Sequence, residues 1–127
     1  MLKIKAMCPI LGWAAALLIM GGVCRAQDPL VADPEHYKVE FENSKVRVVR
    51  VYFGPHYKSV MNQTPGRVVV VLRDEHFRVT YADGKTEDRH LKAGTSFWSD
   101  GGKGIPENLS DEAFELIWVV PKTRPDP

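Results

Sequence analysis

The sequence predicts an all-β domain of the sandwich, jelly-roll or small-barrel kind, on three observations. From Tyr37 onward apolar residues recur with a period near two, the spacing of strands. Turn signals cut these runs into seven or eight short segments. After residue 27 no stretch has the spacing of a long amphipathic helix.

Taken in order, Tyr37, Val39 and Phe41 alternate with Lys38, Glu40 and Glu42, which predicts a half-buried strand. Asn43-Ser44 makes a turn, and KVRVVRVYF (45–53) begins a β-branched second strand stopped by Gly54-Pro55. RVVVVL (67–72) is a continuous apolar run, so both of its faces are expected to be covered. In HFRVTYADGKTEDRHL, Phe77, Val79 and Tyr81 share one face. Asp83-Gly84 is the two-residue type I′ hairpin signal, and Glu87, Arg89 and Leu91 continue the return strand. Ala93-Gly94 breaks it, TSFW (95–98) restarts, and DGGKG (100–104) is expected to be a loop. FELIWVV (114–120) closes the domain. The tail PKTRPDP is expected not to pair because proline lacks a donor, with 122–127 disordered.

The first 26 residues read as an address. Lys3 and Lys5 give a positive start, Ile10 to Val23 form an apolar stretch of 14 residues, and Cys24-Arg25-Ala26 is a small-x-small site. The stretch is shorter than the about 20 apolar residues of a transmembrane helix, and Gly21-Gly22 interrupts it. A lipoprotein anchor on Cys24 is disfavoured by Val23 before it. Cleavage is expected between Ala26 and Gln27, giving export to the periplasm or the medium, with no membrane attachment afterwards. Both cysteines lie in this segment, so the remaining chain has no disulfide and no thiolate chemistry.

The 127 residues carry 17 Lys+Arg and 16 Asp+Glu, a net charge of +1. Residues 1–26 hold three of the basic residues and no acid. The other 101 residues therefore have 14 basic against 16 acidic groups, without the polybasic footprint of a nucleic-acid binder. This length suits one small domain, whose stability must come from a single apolar core.

HYKVEFENSKVRVVRV and Glu107-Asn108-Leu109-Ser110-Asp111, in their order and spacing within residues 33–121, resemble the small single-domain cupins of bacteria. That resemblance implies a double-stranded β-helix barrel of the jelly-roll type. It also implies a metal constellation from which this sequence departs. Where the family has Met-His-x-His-Pro, this chain reads Met61-Asn62-Gln63-Thr64-Pro65. The later histidine falls at Gly104, and the fourth ligand falls near Val68 or Val69. Two ligands at i and i+2 of a strand reach the same side. Asn62 and Thr64 keep that geometry but offer only an amide and a hydroxyl, weak donors for a transition metal. With Gln63 they can still hydrogen-bond a small polar ligand, beside their plainer role as satisfied residues near a turn.

The remaining candidates are weighed in the same way. His36, His56, His76 and His90 form no i, i+2 or i, i+4 pair, and all four are expected at the surface. His56 alone is placed to swing over the barrel and replace a lost ligand. Ser59, Ser96 and Ser99 lack a nucleophile elbow, and DGGKG lacks the Walker spacing. Tyr52, Phe53, Phe97, Trp98 and Trp118 are expected in the barrel core, one or two lining a pocket. Arg47, Arg50, Arg67, Arg73, Arg78 and Arg89 read as a mixed solvated face. An arginine pointing inward would instead indicate an anionic ligand.

The expected function is an exported, non-catalytic module without a cofactor. It binds a small polar molecule through Asn62, Thr64, Asn108 and Trp98, or serves as a structural domain. The alternative is a dioxygenase- or isomerase-type enzyme with a divalent transition metal on His56, helped by Glu107, Asn62 or a partner subunit. A metal-free acid/base enzyme would need a His or carboxylate inside the barrel, for which Glu107 is the nearest candidate. By analogy with the family, pairing of strand edges into a homodimer is the partner expectation.

Overall fold

The computed structural model describes residues 27–122. The expected signal segment, with its cleavage site at Ala26, and residues 123–127 lie outside the described residues. A short turn of helix, α1 (Pro29–Ala32), is capped by the Asp28 carboxylate, which accepts from the Leu30 amide at 2.8 Å. Nine strands follow: β1 (Tyr37–Glu42), β2 (Val46–Phe53), β3 (Asn62–Thr64), β4 (Arg67–Val71), β5 (Glu75–Thr80), β6 (Thr86–Leu91), β7 (Ser96–Ser99), β8 (Gly102–Asn108) and β9 (Phe114–Pro121).

They form two antiparallel sheets, one of five strands in the order β1-β2-β9-β4-β7 and one of four in the order β3-β8-β5-β6. The last strand in sequence, β9, is the centre of the larger sheet. Leu116 lies opposite Val51 and Val71, and Trp118 lies opposite Val49 and Val69. Alternation then places Phe53, Phe114, Leu116 and Trp118 on one inner face with these valines and Tyr37, and together they make the buried apolar core. Every member of that core belongs to the five-stranded sheet. The smaller sheet adds only half-buried Phe77 and Leu91, so the space between the sheets is incompletely filled.

Several expectations are corrected. In β1 only Tyr37 is buried, and the alternation breaks at an irregularity between Val39 and Phe41, which leaves Phe41 50% exposed. The β5–β6 connection is a three-residue loop and not a type I′ turn. Tyr81 accepts from the Gly84 amide at 2.9 Å and donates to Lys85 at 2.8 Å, and only Gly84 (φ 87°) is left-handed. Residues 102–104 are strand, because Gly102 and Gly104 pair with Thr64 and Asn62 while β8 continues through Pro106. Pro121 is still paired, and Lys122 donates its amide to Lys45 at 2.8 Å, so ordered backbone extends into the tail.

The N-terminal segment is tied down by Asp33. Its carboxylate accepts from Ser59 (2.6 Å) and Tyr57 (2.9 Å) and lies 2.7 Å from His36 Nδ1. Burial works against the charge of Asp33, but these hydrogen bonds outweigh it and hold the carboxyl below its ordinary range. His36, expected at the surface, is half-buried and stacks on Tyr57 at 3.8 Å. Gly101 marks the tightest backbone approach. At φ 86° a Cβ there would press on the Thr64 carbonyl and come within 2.7 Å of the Pro65 carbonyl carbon. Gly101→Ala is expected to lower stability by about 1–3 kcal/mol, measured by urea unfolding, with the native spectrum retained.

Candidate functional site

The under-filled interior is a cavity of about 160 Å³. Its apolar wall comes from Val51, Phe53, Phe114, Leu116 and Trp118 of the large sheet and Phe77, Val79, Leu91 and Phe97 around them. Period-two geometry also delivers charges to the same surface. Arg67 shares its parity with Val69 and Val71, Glu75 shares its parity with Phe77 and Val79, and Arg89 shares its parity with Leu91. All three line the cavity, which corrects the expectation that Arg67 and Arg89 belong to a solvated outer face.

Arg67 lies over the Trp118 indole, 4.3 Å from guanidinium carbon to ring centroid. One terminal nitrogen donates to the Pro65 carbonyl at 3.0 Å, while Nε is buried without a partner among the described residues. Burial, with the nearby charge of Arg89, pulls the guanidinium down to about 10, so it stays cationic at neutral pH. Arg89 is held differently, with its Nε and a terminal nitrogen on Glu87 at 3.1 and 2.9 Å. Tyr37 is kept a neutral phenol, chiefly by burial and next by the charge of Asp33.

Glu75 is the second unusual group. It is 5% exposed, and neither carboxyl oxygen has a hydrogen-bond partner among the described residues. Burial alone pushes its pKa up to about 8. Five buried side-chain nitrogen or oxygen atoms lack partners among the described residues. Four of them, on Arg67, Glu75 and Trp118, belong to residues that line this cavity. Unpartnered buried polar groups are costly, and their grouping on residues that line one cavity makes it the candidate site.

Of the residues singled out from sequence, Asn62 and Thr64 line the cavity while Asn108 and Trp98 do not. The Asn62 amide donates to the Val60 carbonyl at 2.9 Å, and Thr64 Oγ1 donates to the Gly102 carbonyl at 3.1 Å. Asn108 is fully buried and clamps the β8–β9 loop, donating to the Gly54 and Glu112 carbonyls at 2.9 and 2.8 Å and accepting from Ser110. Trp98, 53% exposed, points its indole N–H at Asp100 (2.7 Å). Tyr52 is likewise exposed.

A transition metal does not fit these residues. Asn62 and Thr64 offer only a neutral amide and a hydroxyl oxygen, weak ligands for a transition metal, and Val68 and Val69 are hydrocarbon. Gly104 is packed so closely that a Cβ would come within 2.6 Å of Val79 Cγ1, which leaves no room for a ligand side chain. His56, the candidate replacement, lies off the cavity lining. It is exposed, adopts φ 59° and places Nε2 2.6 Å from Asp111 Oδ1. Glu107 also lies off the lining, opposite Arg78. Among the described residues no group of three or more His, Cys, Asp or Glu is placed to hold a metal ion. No helix among them is long and apolar enough to cross a membrane.

Solved structures place this architecture. The chain is similar to a cupin domain from Bordetella pertussis Tohama I, with 20% identity and a TM-score of 0.64, over 80% of this chain and 100% of that one. It is similar to an uncharacterized conserved protein with a double-stranded β-helix domain from Klebsiella pneumoniae subsp. pneumoniae MGH 78578, at 22% identity, TM-score 0.53, and coverage of 67% and 74%. An RmlC-like cupin family protein from Methanocaldococcus jannaschii matches at 9% identity and TM-score 0.52, over 67% and 77%. No protein-family model matches the chain, and no curated protein matches it in sequence. Together with the strand order, these likenesses define the fold as a small, single-domain, cupin-like double-stranded β-helix.

Two outcomes follow from the geometry. Asn108→Ala removes a buried amide that holds two loop carbonyls, and stability should drop by about 2–4 kcal/mol in denaturant unfolding. Glu75 binds its proton more tightly in the folded chain than in the unfolded one. Its contribution to stability is therefore fully present below its ordinary pKa near 4.5 and is lost as pH rises to about 8. Across that window the unfolding free energy of wild type should fall with pH relative to Glu75→Gln, by up to about 1.4 kcal/mol per unit.

Proposed function

We propose that this protein is an exported, non-catalytic binding module that holds a small organic anion inside its barrel. The observation that carries the reading is Arg67, a half-buried cation that lines the cavity and whose Nε has no hydrogen-bond acceptor among the described residues. No carboxylate bonds this guanidinium among the described residues, so a ligand carboxylate offers the missing acceptor and counter-charge. Thr64 and Ser99, which line the same cavity, add polar contacts near it. The aromatic wall suits an apolar body, and about 160 Å³ compares with cavities of about 150 Å³ that admit benzene. Export rests on the leader-like segment 1–26. Pairing of two copies through the exposed edge of β1 belongs to the same proposal, and sedimentation velocity reports it.

Benzoate is the direct probe, titrated by calorimetry at neutral pH. Wild type should bind it, and Arg67→Met, which keeps the stem on Trp118 but removes the charge, should weaken binding by about 10-fold or more. Thermal unfolding of the variant checks that it is folded. A wild type that binds no benzoate, or an Arg67→Met protein that binds it equally well, overturns the anion reading.

A further inference from the structure

The strand order separates Glu75 from Arg67. Arg67 opens β4 and Glu75 opens β5 only after β4 has run its full length, so four residue steps, about 13 Å of strand, lie between the Arg67 end and the turn leading to Glu75. The surroundings differ accordingly. Around Arg67 the lining includes Thr64, Ser99 and the glycines of β8, whereas Glu75 is paired with Leu91 and lies beside Phe77. The charged groups nearest to it are engaged elsewhere: Arg89 with Glu87, Lys92 with Asp74, and Arg73 with Glu115. Thus Glu75 brings to the cavity lining a buried carboxyl group that bonds no neighbour among the described residues.

Folding gives no reason for that group. A leucine would satisfy the same position without burying two unpaired oxygens, so Glu75 lowers the stability of the free protein. Groups of this kind persist where a ligand completes them. A neutral carboxyl both donates through its hydroxyl and accepts through its carbonyl. A ligand hydroxyl answers both at once, beside the apolar side chains of Phe77 and Leu91.

Resting on the anion reading above, we infer that Glu75 is the specificity-determining residue of the cavity. It selects, among single-ring organic acids anchored at Arg67, those that carry a hydroxyl at the end remote from the carboxylate. A site built around a hydrogen bond rejects the analogue that lacks it, because the site's own polar group is then left buried and unpaired.

The test titrates wild type, Glu75→Gln and Glu75→Leu with benzoate and with 4-hydroxybenzoate at pH 6.5. Wild type is expected to prefer 4-hydroxybenzoate by about 10- to 100-fold, Glu75→Gln to keep part of that preference and Glu75→Leu to lose it. Glu75→Leu should also melt at or above the wild-type temperature, which separates a lost contact from a damaged fold. Equal binding of the two acids by wild type, or a preference that survives in Glu75→Leu, overturns the role of Glu75 while the anion reading stands. Failure of wild type to bind either acid overturns both.

Discussion

The structure depends on the central position of β9. A strand paired on both sides cannot slip by one residue without turning Phe114, Leu116 and Trp118 to the outer face, and each of these is registered against β2. Among the described residues β9 is the last strand, and its two neighbours β2 and β4 come from separate, earlier parts of the chain. The core is accordingly one-sided: the large sheet is packed, while the small one faces it across a gap. That asymmetry is what leaves room for a cavity.

The gap is kept open by small residues on one side and by charges on the other. Gly102 and Gly104 of β8 bring backbone where side chains would otherwise project, and Val79 already occupies the space a Cβ at Gly104 would need. Arg67 is supported within the gap by the Trp118 ring, so aromatic contact partly replaces the water it gave up. The guanidinium retains its charge despite burial, whereas Glu75, with no such support, holds its proton. The same desolvation thus leaves one cation and one neutral acid in a single cavity.

Much of this was legible in the sequence, within limits set by where the information lies. β-Branched and aromatic content revealed the strands of residues 46–53 and 114–120, and a continuous apolar run revealed that of 67–71. Strand β8 was hidden by its glycines and Pro106, which read as loop although pairing with β3 and β5 holds them extended. Arg67 and Glu75 were discoverable from parity alone, since 67, 69 and 71 share one face and 75, 77 and 79 share another. Residue type misled for Arg67, whose charge reads as solvent-facing, while Glu75 stands just before the strand that the pattern marks from His76. The Asp33 cluster was beyond local pattern, since Tyr57 and Ser59 lie 24 and 26 residues away and meet it only through tertiary folding.

The departure from the metal-binding pattern is therefore more than a subtraction. A barrel lined by histidines presents neutral nitrogens that require a cation before they attract an anion. With a neutral amide, a hydroxyl and a glycine at positions 62, 64 and 104, no imidazole, thiolate or carboxylate stands at these described residues to hold that intermediary. Arg67 supplies positive charge directly, fixed to the chain and independent of metal supply, but it cannot act as a Lewis acid on a substrate. On the proposed reading, a cation and an uncharged hydrogen-bonding acid set in one largely apolar cavity would discriminate between ligands by length and by terminal group.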